Sequence, residues 1–207
     1  MIAIIDYGAG NIRSVEKALD FLGQDVAISG DPKVILGADA AVLPGVGAFG
    51  VAMERLRKSG LVPVIEELAL SKKKPFLGIC LGLQLLFAES EESPGVEGVS
   101  LFPGRILRLP EGEGRKIPEI GWNSLSFPRE STLFRGIREG AYVYFVHSYY
   151  LKAEEPGIVA AETEYGIRFH AAVERDNIFA CQFHPEKSGA VGLKILQNFI
   201  GVVKERC

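Results

Sequence analysis

The chain opens on short apolar runs alternating with stretches whose apolar residues recur at helical spacing. Residues 2–5 form the first run, stopped by Tyr7-Gly8-Ala9-Gly10. Asn11 then stands where it can cap a helix whose apolar face carries Ile12, Val15, Ala18, Leu19 and Leu22, with Gly23 to end it. Residues 25–28 read as a second strand and residues 40–43 as a third, running into Pro44-Gly45-Val46-Gly47. Two helical stretches follow, over 52–58 and 61–70. A buried strand over 75–79 leads at once into a helix over 81–87. Strands of four or five apolar residues separated by helices need crossover connections, and so predict a parallel sheet covered on both faces.

From about residue 99 the texture changes. Short alternating runs with many glycines and prolines predict strands of an antiparallel or mixed extension, over 142–150, 158–161, 169–174 and 178–182. An amphipathic helix over 191–203 closes the pattern, and residues 90–98 and 111–115 read as exposed loop. With 207 residues, 47% of them hydrophobic and no internal repeat, the chain is expected to form one α/β domain over 1–207 around a sizeable core.

Charge and cysteine usage narrow the class. A net charge of −3 advertises no basic surface, so neither nucleic acid nor an anionic membrane is an expected partner. The N-terminal residues read as a first strand, not a signal peptide, and no apolar run approaches the roughly 18 residues of a membrane span. The three cysteines, Cys80, Cys181 and Cys207, are far apart and form no CxxC pair. That pattern argues against a disulfide framework or a structural zinc site and fits a reducing cytosol.

The sharpest local motif is Gly78-Ile79-Cys80-Leu81-Gly82, between an apolar strand and a helix. It has the form of a nucleophile elbow with cysteine in place of serine. The flanking glycines permit a tight turn that lifts the side chain out at the sheet's carboxyl edge. The start of a helix also favours a thiolate there. The same five residues fit a small buried cysteine in a glycine-lined turn. Cys181, inside an apolar strand, and Cys207, the last residue, read as non-catalytic.

A cysteine nucleophile needs a base, and the chain has three histidines. His184 precedes Pro185 and Glu186, and a residue before proline is pushed toward extended geometry. Side chains two apart in an extended segment point to one side, so Glu186 can hold the His184 imidazole. The bland alternative is an ordinary turn. His170 lies mid-strand, and His147 has no acid nearby in sequence to orient it. Pro44-Gly45-Val46-Gly47 is a glycine-rich loop at a strand's end. It could supply one oxyanion donor, Gly45 or Val46, to complement the backbone N–H of Leu81, or simply terminate the strand. Gly8-Ala9-Gly10 hints at a dinucleotide site, but Arg13 stands where a third glycine is needed. A metal site made of Cys80, His184 and Glu186 would match no common zinc spacing.

Together, Gly-Ile-Cys-Leu-Gly-Leu-Gln from Gly78 and Gln182-Phe183-His184-Pro185-Glu186 resemble the class I (triad) glutamine amidotransferases. Asp6-Tyr7-Gly8-Ala9-Gly10-Asn11, Pro44 to Gly47 and Lys187-Ser188 after the His-Pro-Glu narrow the likeness to the glutaminase subunits of imidazole glycerol phosphate synthase, over essentially the whole chain. The resemblance implies a flavodoxin-like three-layer sandwich with a mostly parallel central sheet and a small antiparallel extension. It implies a Cys80, His184, Glu186 triad that converts glutamine to glutamate through a glutamyl thioester, with no cofactor or metal. Gln84, Gly47 and the backbone of His147, Ser148 and Tyr149 would hold the substrate. Ammonia would pass to a (β/α)8-barrel cyclase partner in a heterodimer, giving imidazole glycerol phosphate and an aminoimidazole carboxamide ribotide for histidine synthesis. Asn11, Trp122, Tyr144 and Lys187 match partner-facing positions. Glu119 stands where the family commonly carries histidine, and Leu83 where it commonly carries methionine. The permissive Pro-Gly-Val-Gly loop further suggests that the Gly45-Val46 peptide reorients when the partner binds its ligand.

Two rivals remain at this level. One is another enzyme on the same scaffold, such as the glutaminase subunit of pyridoxal phosphate synthase or a cysteine peptidase-like hydrolase. The other is a non-catalytic subunit with a vestigial triad.

Overall fold

In the computed structural model, which describes residues 1–112 and 115–206, twelve strands and six helices are assigned. The first half holds β1 (Ile2–Ile5), α1 (Ile12–Phe21), β2 (Val26–Ser29), α2 (Pro32–Gly37), β3 (Ala40–Gly45), α3 (Phe49–Lys58), α4 (Leu61–Glu66), β4 (Phe76–Cys80) and α5 (Leu81–Leu85). The second half holds β5 (Phe87–Ser90), β6 (Phe102–Arg108), β7 (Glu119–Ser124), β8 (Tyr142–His147), β9 (Tyr149–Ala153), β10 (Val159–Glu164), β11 (Arg168–Arg175), β12 (Ile178–Cys181) and α6 (Gly189–Arg206).

Ten strands form one sheet in the order β2-β1-β3-β4-β12-β11-β9-β6-β5, with β10 pairing β11 off that path. The first five in that order run parallel. Beyond β12 the pairings with β11, β9 and β10 are antiparallel. Period-2 alternation sends neighbouring side chains to opposite faces. Ala3 and Ile5 join a core with Ile35, Phe49, Leu61 and Leu83, under α2 to α5. Ile2 and Ile4 join the opposite core with Val15, Leu19, Ile195 and Phe199, under α1 and α6. Helices on both faces of the sheet make the expected three layers.

The differences from the sequence reading have local causes. Asn11 stands at the start of α1 but makes no cap bond to the backbone; its Oδ1 instead accepts from Ser14 Oγ at 3.0 Å. The unforeseen α2 is capped by Asp31, whose carboxylate accepts from the Lys33 amide at 2.8 Å, with Pro32 in the first turn. The helix expected over 61–70 is α4 followed by a π-helical turn, Glu67–Ser71. The helix expected over 81–87 ends at Leu85, because Phe87 begins β5 beside β6. Ser90 belongs to that strand and is buried, so the loop expected from residue 90 starts one residue later. The loop expected over 111–115 lies partly outside the described residues.

The run expected as one strand over 142–150 is two strands in different sheets. β8 pairs antiparallel with β7 in a separate two-stranded sheet, whereas β9 joins the main one between β6 and β11. Ser148 is the single residue between them.

Candidate active site

Three parallel strands end side by side. β4 lies between β3 and β12, with Cys80 in register with Gly45 of β3, and Ile79 with Cys181 of β12. In such sheets ligands bind beyond the carboxyl ends of the strands. Here that edge opens on a cavity of about 270 Å³ lined by Val46, Gly47, Cys80, Leu81, Gln84, His147, Ser148, Tyr149, His184 and Lys187, among others.

Cys80 sits at the turn from β4 into α5 with φ 55° and ψ −110°. A non-glycine residue in that region costs of order 1–3 kcal/mol, and the surrounding packing must hold it there. Gly82 provides the tightest fit at this turn: a Cβ on it would stand 1.9 Å from the Leu43 carbonyl oxygen of β3. The main chain of α5 therefore lies directly on the neighbouring strand. This approach presents the sulfur at the cavity while leaving Cys80 only 6% exposed. Leu81 is the first residue of α5, so its N–H has no partner within the helix and is free to receive a developing oxyanion.

His184 follows β12 in extended conformation, φ −99° and ψ 95°, before the short 3₁₀ turn Pro185–Lys187. Its Nδ1 lies 2.8 Å from Glu186 Oε1, both side chains being nearly fully buried. Burial by itself would lower the His184 pKa. Bonds to Cys80 and Glu186, and the charges of both, outweigh it and raise the value from 6.5 to about 9. The imidazole is thus an imidazolium at neutral pH, facing the sulfur on one side and the carboxylate on the other.

The raised pKa has a consequence for stability. A group whose folded pKa exceeds its unfolded one stabilises the fold fully below the unfolded value, and loses that contribution as pH rises through the folded value. The His184 contribution is therefore complete below about 6.5 and is lost toward about 9. Melting temperatures measured across that window should fall, and should fall less in a Cys80→Ala chain, which lacks the sulfur's share. Equal slopes in the two chains would show that Cys80 does not support the imidazolium.

Around the cavity stand further groups whose contacts with its lining residues were not foreseen from the sequence. Gln182, fully buried, has its Nε2 3.7 Å from Cys80 Sγ, and its Oε1 accepts from Gln84 Nε2 at 3.0 Å. Gln84 Nε2 also donates to the Tyr149 carbonyl at 3.0 Å. The Val146 carbonyl lies 3.8 Å from the sulfur. Tyr7 Oη donates to the Pro44 carbonyl at 3.1 Å, bracing the loop that carries Gly45 and Val46. Burial and the charge of Cys80 push the Tyr7 phenol well up, against Arg55, so it stays a donor. No side-chain signal beyond the Gln-Phe-His-Pro-Glu motif pointed to Gln182.

The remaining expected residues are distributed as follows. Trp122 and Tyr144 are cross-strand neighbours on the β7–β8 ribbon, with ring centroids 5.9 Å apart. Trp122 is 55% exposed, which removes the core role that a lone tryptophan usually has. Ile120 and Tyr142 are exposed on the same ribbon. Asn11 is half-buried, and Lys187 is exposed at the cavity. Glu119 does not join Trp122 at the surface: it is buried and meets His147, which supplies the orienting acid not visible near that histidine in sequence. Cys181 is fully buried, and burial, then the charges of Glu186 and Cys80, push its thiol far up. Cys207 lies outside the described residues. The Nδ1 of His170 accepts from the Ala153 amide at 3.0 Å, within the antiparallel extension.

A strained cysteine at a sheet's carboxyl edge, paired with an imidazolium and a buried carboxylate, is the apparatus of an amide-cleaving thiol enzyme. Residues 3–202 match the family described as glutamine amidotransferase class-I, and the chain belongs to that family. Solved structures similar to it include a glutamine amidotransferase, with TM-score 0.77 at 18% identity and coverage of 98% of each chain. Another is PurLQS from Thermotoga maritima, with TM-score 0.74 at 19% identity and coverage of 97% of each chain; both likenesses concern the fold. Curated relatives are nearer in sequence. The imidazole glycerol phosphate synthase subunit HisH of Caldanaerobacter subterraneus subsp. tengcongensis is 52% identical over 99% of each chain. The HisH of Methanothermobacter thermautotrophicus is 51% identical over 99% of this chain and the whole of its own. Within the class, the chain is thus one of the HisH glutaminases, the glutamine-hydrolysing subunits of imidazole glycerol phosphate synthase.

Proposed function

We propose that Cys80, His184 and Glu186 are the catalytic triad of this glutaminase, in one domain spanning residues 1–207. The observation that carries the proposal is His184, 2.8 Å from the buried Glu186 carboxylate, lining with Cys80 the cavity at the sheet's carboxyl edge. Cys80 Sγ attacks the side-chain amide carbon of glutamine, and the oxyanion that forms meets the Leu81 N–H and the Gly45-Val46 loop. His184 gives its proton to the departing ammonia, leaving a glutamyl thioester. Water then attacks the thioester; His184 takes a proton from that water, and glutamate leaves. Gln84, Gly47 and the main chain of residues 147–149 hold the amino-acid end of the substrate. No metal or cofactor enters these steps.

The ammonia passes to a (β/α)8-barrel cyclase subunit, bound as a heterodimer through Asn11, Trp122, Tyr144 and Lys187. The exposed ribbon residues Ile120, Trp122 and Tyr142 support this assignment, since aromatic side chains make effective anchors once desolvated. The reaction takes place in the cytoplasm; among the described residues no helix is long and apolar enough to cross a membrane. Reorientation of the Gly45-Val46 peptide, favoured by the ligand-bound partner, completes the oxyanion site.

Co-purification with the cyclase subunit, followed by glutaminase assays with and without the cyclase ligand, tests the reading. The expected result is a stable complex whose glutamine hydrolysis rises when the ligand binds. Full activity of the isolated chain would overturn the regulatory part, and turnover of short peptides in place of glutamine would overturn the substrate assignment.

A further inference from the structure

Glu119 and His147 face each other as directly paired residues of β7 and β8. Glu119 Oε2 lies 3.0 Å from His147 Nε2, with the two side chains 4% and 2% exposed respectively. Neither atom has a hydrogen-bond partner among the described residues, so each is the other's close polar neighbour. The imidazole packs against the rings of Phe145 and Phe169, at centroid distances of 5.5 and 5.3 Å, so no water-like environment compensates it. The other polar atoms of the pair are committed. Glu119 Oε1 accepts from Asn123 Nδ2 at 2.9 Å, and His147 Nδ1 lies 2.9 Å from the Tyr149 carbonyl oxygen.

A carbonyl oxygen only accepts, so His147 Nδ1 carries a proton. The far nitrogen of the ring, Nε2, then faces Glu119 Oε2 at 3.0 Å, which fixes the ring's orientation from its other side. The Tyr149 carbonyl receives this Nδ1–H together with Gln84 Nε2, which fills both of its lone pairs. Gln84 also donates to Gln182, whose amide reaches Cys80 Sγ. A continuous chain of polar contacts thus runs from Glu119, on the ribbon that carries Trp122, to the sulfur.

We propose that Glu119 is a positioning residue for glutamine hydrolysis. By fixing the tautomer and orientation of His147, it sets the Tyr149 carbonyl and the 147–149 main chain at the wall of the cavity. The proposal rests on the reading of that cavity as the glutamine site. It assigns Glu119 an inward role in place of the partner contact that its place beside Trp122 suggests.

Two substitutions separate positioning from bulk packing, assayed in the complex with the cyclase subunit. Glu119→Gln keeps the shape and lets an amide N–H donate to Nε2 of the neutral ring, so KM for glutamine and kcat should stay within about threefold of the parent. Glu119→Met keeps length without any hydrogen-bonding group. It should raise KM by roughly tenfold or more while kcat changes much less, since binding of the amino-acid end is what slackens. Identical behaviour of the two variants would overturn the proposal. A measurement on the unaltered chain stands beside them and does not depend on a variant folding: ¹⁵N spectra of the His147 ring should show Nδ1 protonated, and a bare Nδ1 would equally overturn it. An unaltered complex that fails to hydrolyse glutamine would instead undo the functional reading.

Discussion

Cys80→Ala is expected to lower glutamine-dependent synthesis by the complex to background, a loss of roughly 10⁶-fold if the triad acts as a unit. Ammonia supplied directly should still support synthesis by the partner, because that reaction bypasses the sulfur. The substitution removes one atom from a buried position beside Leu77 and Ile79 in the core, so assembly should survive. The same replacement withdraws one of the two groups that hold the His184 proton, so the imidazole pKa should fall from about 9. Glutamine-dependent turnover in the alanine chain would remove Cys80 from the mechanism. Loss of ammonia-dependent turnover would mean that the substitution had damaged the complex instead.

The second large effect is structural. Gly82→Ala places a methyl group where the Leu43 carbonyl oxygen already stands, 1.9 Å away, with the Leu43 carbonyl carbon at 3.0 Å. Both belong to the backbone of β3, which cannot rotate aside as a side chain would. Either α5 lifts from the sheet or β3 shifts, and β3 is paired on both sides, with β1 and β4. A destabilisation of more than about 4 kcal/mol is expected, far above the usual effect of a single substitution. At this chain length that corresponds to a fall of roughly 10 °C in melting temperature. Any folded remainder should show impaired glutaminase, since the lift moves Cys80 and the Leu81 N–H together. A melting temperature within a degree or two of the parent would show that the elbow has slack that its geometry does not suggest.

The parts of this molecule that were legible in sequence are those governed by local rules. Apolar runs of four to six residues located β1, β3, β4 and β12, and helical spacing located α1, α3, α4 and α6. The glycines around Cys80 and the proline after His184 announced two strand ends with reactive side chains. What the sequence concealed was pairing. Nothing near Glu119 says that β7 lies opposite β8, so its contact with His147 could not be read from residues 28 positions apart. The division of the 142–150 run into two sheets was hidden for a related reason. Alternation continues through Ser148, and only the presence of β6 beside β9 and β7 beside β8 reveals the change. The strands β5 and β6 were missed because their neighbours in the sheet come from distant segments, which no window of residues contains. Gln182 stood in plain view within a recognised motif. Its contact with the sulfur follows from β12 lying against β4, again a matter of neighbours.

The division at Ser148 carries a mechanical implication. The outer ribbon and the main sheet are separate plates joined here across one residue, and that joint borders the cavity that Cys80 lines. A tilt of the ribbon that its ties to β10 do not hold back reaches the cavity wall within a residue or two, with no long spacer to dissipate it. The protein thus has a short lever whose fulcrum and load almost coincide.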